Sequence, residues 1–98
     1  MIRGLETYSV AVFSTAHIRK SDAEFLEDEA VATRALIVRS DEHKYNVYAG
    51  EVDFSEVKAR GGSDELCALI QAAQAHGCRY VDLDQDGPGY PQLPSFEW

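Results

Sequence analysis

The chain has 98 residues, with 17 Asp and Glu against nine Lys and Arg, a formal charge of −8. That length gives one domain with one core, and a 45% hydrophobic content excludes a disordered chain. The charge excludes direct binding to nucleic acid or to an anionic membrane surface, because both carry the same sign.

Thr7 to Ser14 (TYSVAVFS) is rich in β-branched and aromatic residues and predicts a strand. Ser21 then offers a helix cap, with Glu24 three residues on to close a capping box. Ala23, Leu26 and Ala30, widened by Phe25, make the apolar stripe of a helix ending near Ala32. Ala35 to Arg39 (ALIVR) is a continuous apolar run, which predicts a strand covered on both faces. Ser40 to Lys44 is a polar turn, and Tyr45 to Gly50 alternates as the returning strand of a hairpin. Residues 51–62 suit either a short helix or a long loop, broken at Gly61-Gly62.

The second main helix has the fullest set of signals. Ser63 caps it, Asp64 and Glu65 favour its first turn, and Leu66, Leu69, Ile70 and Ala73 share one face. Gly77 stands where a C′ glycine belongs. Arg79 to Leu83 (RYVDL) is the last strand. The tail, residues 87–98, holds all three prolines, yet its Leu93, Phe96 and Trp98 predict packing back on the core. The order β-α-β-β-α-β over a single domain, residues 1–98, predicts an α/β protein of the α+β two-layer sandwich type. Its sheet is expected to be antiparallel with two helices on one face, in the ferredoxin-like arrangement. Cys67 and Cys78 lie about three helical turns apart, too far for a disulfide, and are expected as reduced thiols.

Three clusters are candidates for function. Asp22, Glu24, Glu27, Asp28 and Glu29 fall in eight residues with no intervening base, and Glu24, Glu27 and Asp28 share a helix face. Such a row either solubilises the chain or imitates phosphates for a basic partner. Asp53, Glu56, Asp64 and Glu65 extend the row if the helices lie side by side. Asp82, Asp84, Asp86 and Gly87 match the first half of a calcium loop, but its twelfth position is Leu93 and a strand precedes it. They are weak metal candidates beside the plainer reading of a strand end with alternating acids. Ser14-Thr15-Ala16-His17 invites a nucleophile–base reading, but no third member stands at a recognisable spacing. Its expected role is local, satisfying backbone groups at a strand-to-helix turn. No catalytic residue and no cofactor is assigned, and tyrosines 8, 45, 48 and 80 are expected half-buried on strands, with exposed neighbours among them as possible interface anchors.

At S-T-A-H, at G-C-R-Y-V-D-L-D-Q-D-G and at L-P-S-F-E-W the chain resembles a family of small bacterial proteins common on plasmids and other mobile elements, for which no activity is assigned. The resemblance implies a mobile-element setting, and in size and charge the chain looks like anti-CRISPR and anti-restriction inhibitors. The leading expectation is therefore a monomeric, non-enzymatic inhibitor of a basic nucleic-acid-binding protein such as a CRISPR effector subunit. It would lay the acids of residues 22–29, 53, 56, 64 and 65 on that protein's DNA-binding surface. The alternative is a small binding or antitoxin-like module whose acidity serves solubility and whose contact is apolar. A calcium-binding or hydrolytic protein is the third class. The N-terminus, MIRGLETYSV, has no apolar signal region, so the cytoplasm of the bacterial host is the expected location.

Overall fold

The computed structural model describes residues 2–98. Strand β1 (Val10–Ser14) leads through one 3-10 turn (Thr15–His17) into helix α1 (Lys20–Val31). A hairpin of β2 (Val38–Ser40) and β3 (Lys44–Tyr48) follows, then a short helix α2 (Phe54–Ala59), the long α3 (Asp64–Ala75) and β4 (Tyr80–Asp84). The helices start where the chain supplies oxygen acceptors for their free N–H groups. Ser63 Oγ accepts from Leu66 N in α3 and Asp53 Oδ1 from Glu56 N in α2, as N-caps do. Gly77, at φ 75°, takes the left-handed conformation that ends α3. No helix among the described residues is long and apolar enough to cross a membrane.

The four strands form one mixed sheet in the order β1-β4-β3-β2. Pairs β2–β3 and β3–β4 are antiparallel, whereas β1 and β4 are parallel, with Val10 opposite Tyr80 and Ser14 opposite Asp84. The two-layer α+β sandwich is as expected; the fully antiparallel, ferredoxin-like sheet is not. The reason lies in residues 49–63. The chain makes two traverses after β3, one through α2 and one along α3, and so returns to the end of the sheet it left. Strand β4 therefore runs against β3 and alongside β1.

The register sorts the side chains by face. Ala11, Phe13, Val38, Tyr45, Val47, Val81 and Leu83 point toward the helices. With Ile18, Leu26, Val57, Leu66 and Ile70 they make one core, in which each fully buried aliphatic side chain contributes roughly 1.5–3 kcal/mol. Val10, Val12, Arg39, Asn46, Tyr48, Tyr80 and Asp82 point the other way, onto a face that no helix covers. The run 35–39 is a correction on this point. Leu36 and Val38 are buried, but Ile37 between them is 56% exposed, and only Val38–Ser40 pairs as strand. The run alternates as an edge strand covered on one side.

Helix α1 begins one residue before the expected cap. Ser21 is exposed inside the helix, and Asp22 does the capping, accepting Arg19 N at 3.0 Å. The same carboxylate accepts Ser63 N at 2.8 Å and Ser63 Oγ at 2.6 Å, and it is fully buried. One anion thus sits at the N-termini of α1 and α3 together, where both macrodipoles favour it. Glu29, also buried, closes the other end of α1: its Oε1 accepts Ala35 N at 2.6 Å and Leu36 N at 2.9 Å, bringing the chain into the hairpin. Removing the Asp22 carboxylate leaves three donors without an acceptor in the interior. Asp22→Ala should lower the unfolding free energy by about 2–4 kcal/mol in urea titration. An unchanged midpoint would show that the tie carries no load.

Candidate functional site

The nine acids expected to form one row are dispersed by the fold. Asp22 and Glu29 are buried, the first accepting Arg19 N, Ser63 N and Ser63 Oγ and the second Ala35 N and Leu36 N. Asp53 caps α2. Glu56 is paired with Arg60, and Asp64 lies 3.1 Å from Lys58. Glu65 accepts both Nε and Nη2 of Arg19, at 3.1 and 2.5 Å, and the guanidinium holds its carboxyl below the usual range. Glu24, Glu27 and Asp28 remain exposed on α1, and none of the three forms an ion pair among the described residues.

Glu27 has a neutral partner. Tyr45 Oη donates to its Oε1 at 3.0 Å, joining α1 to β3. Partial burial, and then the neighbouring carboxylate, push the Tyr45 phenol up to about 12. The folded state therefore holds this proton more tightly than the unfolded chain does, and the linked stability is present below pH 10 and lost as pH rises from 10 through 12. Stability of the wild type should decline over that window, and Tyr45→Phe should flatten the decline. In absorbance titration one phenol should ionise near 12 and be missing from the variant.

The Asp82–Asp86 stretch is a strand end with its turn. Asp82 accepts Asn46 Nδ2 at 2.7 Å and lies 3.7 Å from Lys44 Nζ. Asp84 Oδ1 accepts Asp86 N at 2.9 Å. Among the described residues, no three His, Cys, Asp or Glu side chains converge as a metal cluster would.

Ser14-Thr15-Ala16-His17 is a clasp for the C-terminal tail. Ser14 Oγ accepts Ala16 N and starts the 3-10 turn. The turn buries His17, whose Nε2 accepts Tyr90 N at 2.9 Å while Nδ1 lies 2.7 Å from the Pro94 carbonyl oxygen. A ring that accepts at Nε2 and donates from Nδ1 is the neutral Nδ1–H tautomer. The tail is then fixed along its length: Phe96 N donates to Ala16 O, Trp98 Nε1 donates to Ile18 O, and Arg19 stacks 4.6 Å over Phe96. Tyr90 packs edge-on against Phe13. His17→Ala should free the tail at a stability cost on the order of 2 kcal/mol. The one tryptophan, Trp98, reports this directly. Its anisotropy should fall, and proteases should trim residues 88–98 from an otherwise folded domain; a tail that stays fixed would contradict the clasp.

The open face of the sheet is the surface that sequence reasoning left unassembled. Tyr48 and Tyr80, neighbours across β3 and β4, meet edge to face at 5.5 Å; Tyr80 meets Tyr8 at 6.2 Å, and Arg79 lies 4.6 Å over the Tyr8 ring. Beside them is a depression of about 440 Å³ lined by Val10, Ile37, Arg39, Asn46, Tyr48 and Tyr80. Val10, Val12 and Ile37 are exposed there. One end of the face is aromatic and aliphatic, and the other carries Lys44, Asp82 and Asp84. The available signal was the alternation of Tyr45–Tyr48 and Tyr80–Asp84, which puts both tyrosines and both acids on one side.

No curated protein and no solved structure matches the chain. Residues 10–98 match the model of the family of unknown function (DUF5983) C-terminal domain, and the chain belongs to that family.

Proposed function

We propose that this domain acts by binding a protein partner rather than by catalysis, and that it receives the partner on the open face of the sheet. The observation behind this reading is the uncovered row of Tyr8, Val10, Ile37, Tyr48 and Tyr80 with Arg39 and Arg79 at its margins. Tyrosine and arginine over a shallow apolar depression are the residue types that anchor protein interfaces. The tyrosine rings already brace one another, so less side-chain freedom is lost on contact. This is the apolar-contact module among the readings of the sequence, with its acidity serving solubility and internal ties.

A second reading keeps the inhibitor of a nucleic-acid-binding protein, such as a CRISPR effector subunit in a mobile-element setting. One observation favours it: Glu24, Glu27 and Asp28 stay exposed together on α1. Three carboxylates make a short phosphate row, and their attraction would be strongly screened by salt.

Capture from bacterial lysate with two folded variants separates these readings. Ile37→Asp with Tyr48→Ala should lose the captured protein, and Glu24→Lys with Asp28→Lys should keep it, with retention through high salt. The reverse pattern, with release in moderate salt, would move the site to α1 and sink the open-face reading.

A further inference from the structure

We infer that β1 is a pairing edge for a second copy of this chain, joining two four-stranded sheets into one. Strand β1 is the outer strand on one side, with β4 as its one neighbour. Residues 79 and 85 bond to β3 through Ala49 and His43, so the alternate residues Tyr80, Asp82 and Asp84 turn to β1. Ala11 and Phe13 answer them, and Val10, Val12 and Ser14 turn their backbone groups to the free edge. The tail occupies one end of that edge: Pro88 O accepts Ser14 N, and Tyr90 Oη donates to Val12 O. The N–H and C=O of Val10 and the N–H of Val12 face the same way and take no partner from the turns, loops or tail.

Sheet edges are ordinarily protected by charge, proline or shortness. The opposite edge, β2, is protected in this way, being three residues long with Arg39 in the middle and Asp41 and Glu42 just beyond it. The β1 edge has neither charge nor proline within the strand, and the tail covers only its Val12–Ser14 end. Residues 7–14 contain no charge and no proline, and they are rich in β-branched and aromatic side chains. Such a window pairs with itself. The charge of the chain limits where a second copy can dock. Two molecules at −8 repel over most of their surfaces, and an antiparallel pair of identical uncharged strands brings them together without facing carboxylates. The exposed Tyr8, Val10 and Val12 would then meet as aromatic and β-branched cross-strand pairs.

The inference shares Tyr8 and Val10 with the open-face reading but rests on the backbone edge of β1, not on the depression beside Ile37 and Tyr48. Sedimentation equilibrium across a concentration series tests it on the full chain. The wild type should shift from monomer to dimer, more readily as salt screens the net charge. Val10→Pro removes one donor at a position where its N–H faces outward, and Val12→Lys adds a charge to the strand. Each should weaken the dimer by about tenfold or more while circular dichroism stays native. Ile37→Asp with Tyr48→Ala, away from the edge, should leave it unchanged. A wild type that is monomeric up to its solubility limit would overturn the inference. So would a dimer indifferent to Val12→Lys, a variant that keeps the backbone intact if Val10→Pro does not fold.

Discussion

A single buried carboxylate sets the relation between the two long helices. Asp22 sits where α1 and α3 begin, and it takes donors from both: Arg19 N on one side, Ser63 N and Oγ on the other. A buried anion is costly unless hydrogen-bonded and placed in a favourable field. Here two helix N-termini supply both. The consequence is positional. Both helices enter the same layer from the same point, their apolar faces close over one side of the sheet, and the other side is left open. Glu29 repeats the device at the far end of α1 by holding Ala35 and Leu36.

The acidity of the chain is thus divided between roles. Part of it is internal structure, as in Asp22, Glu29 and the Asp53 cap. Part is neutralised at the surface by Arg19, Lys58 and Arg60. Exposed, unpaired acid on α1 reduces to three residues. A count of charges along the sequence treats these carboxylates as equivalent, but hydrogen-bond acceptors of helix starts and free surface anions differ in where they can point.

Much of the architecture was legible from local chemistry. Helix α3 follows its signals residue by residue, from the Ser63 cap through Leu66, Leu69, Ile70 and Ala73 to Gly77. The hairpin and the last strand follow their alternation. What local reading missed was set by distant partners. Asp22 looks like its acidic neighbours until Ser63, 41 residues away, is placed against it. The direction of β4 depends on the extra traverse through α2, in a segment whose sequence suits helix and loop alike. The run 35–39 resembled a two-sided buried strand because apolar content alone does not show that Ile37 faces solvent. His17 binds backbone groups, as expected, but not the local ones: its partners, Tyr90 and Pro94, lie more than 70 residues on. In this chain that contact joins S-T-A-H to the L-P tail.

The acids of α1 do different work, and carboxylate labelling separates them by accessibility. Native protein would be treated briefly with a carbodiimide and an amine, and the modified residues located by mass spectrometry. Glu24 and Asp28 should label rapidly, Glu27 more slowly beneath its Tyr45 hydrogen bond, and Asp22 and Glu29 only after unfolding. Labelling of Asp22 and Glu29 at the rate of Glu24 in the folded protein would contradict the account and return all five to a common surface.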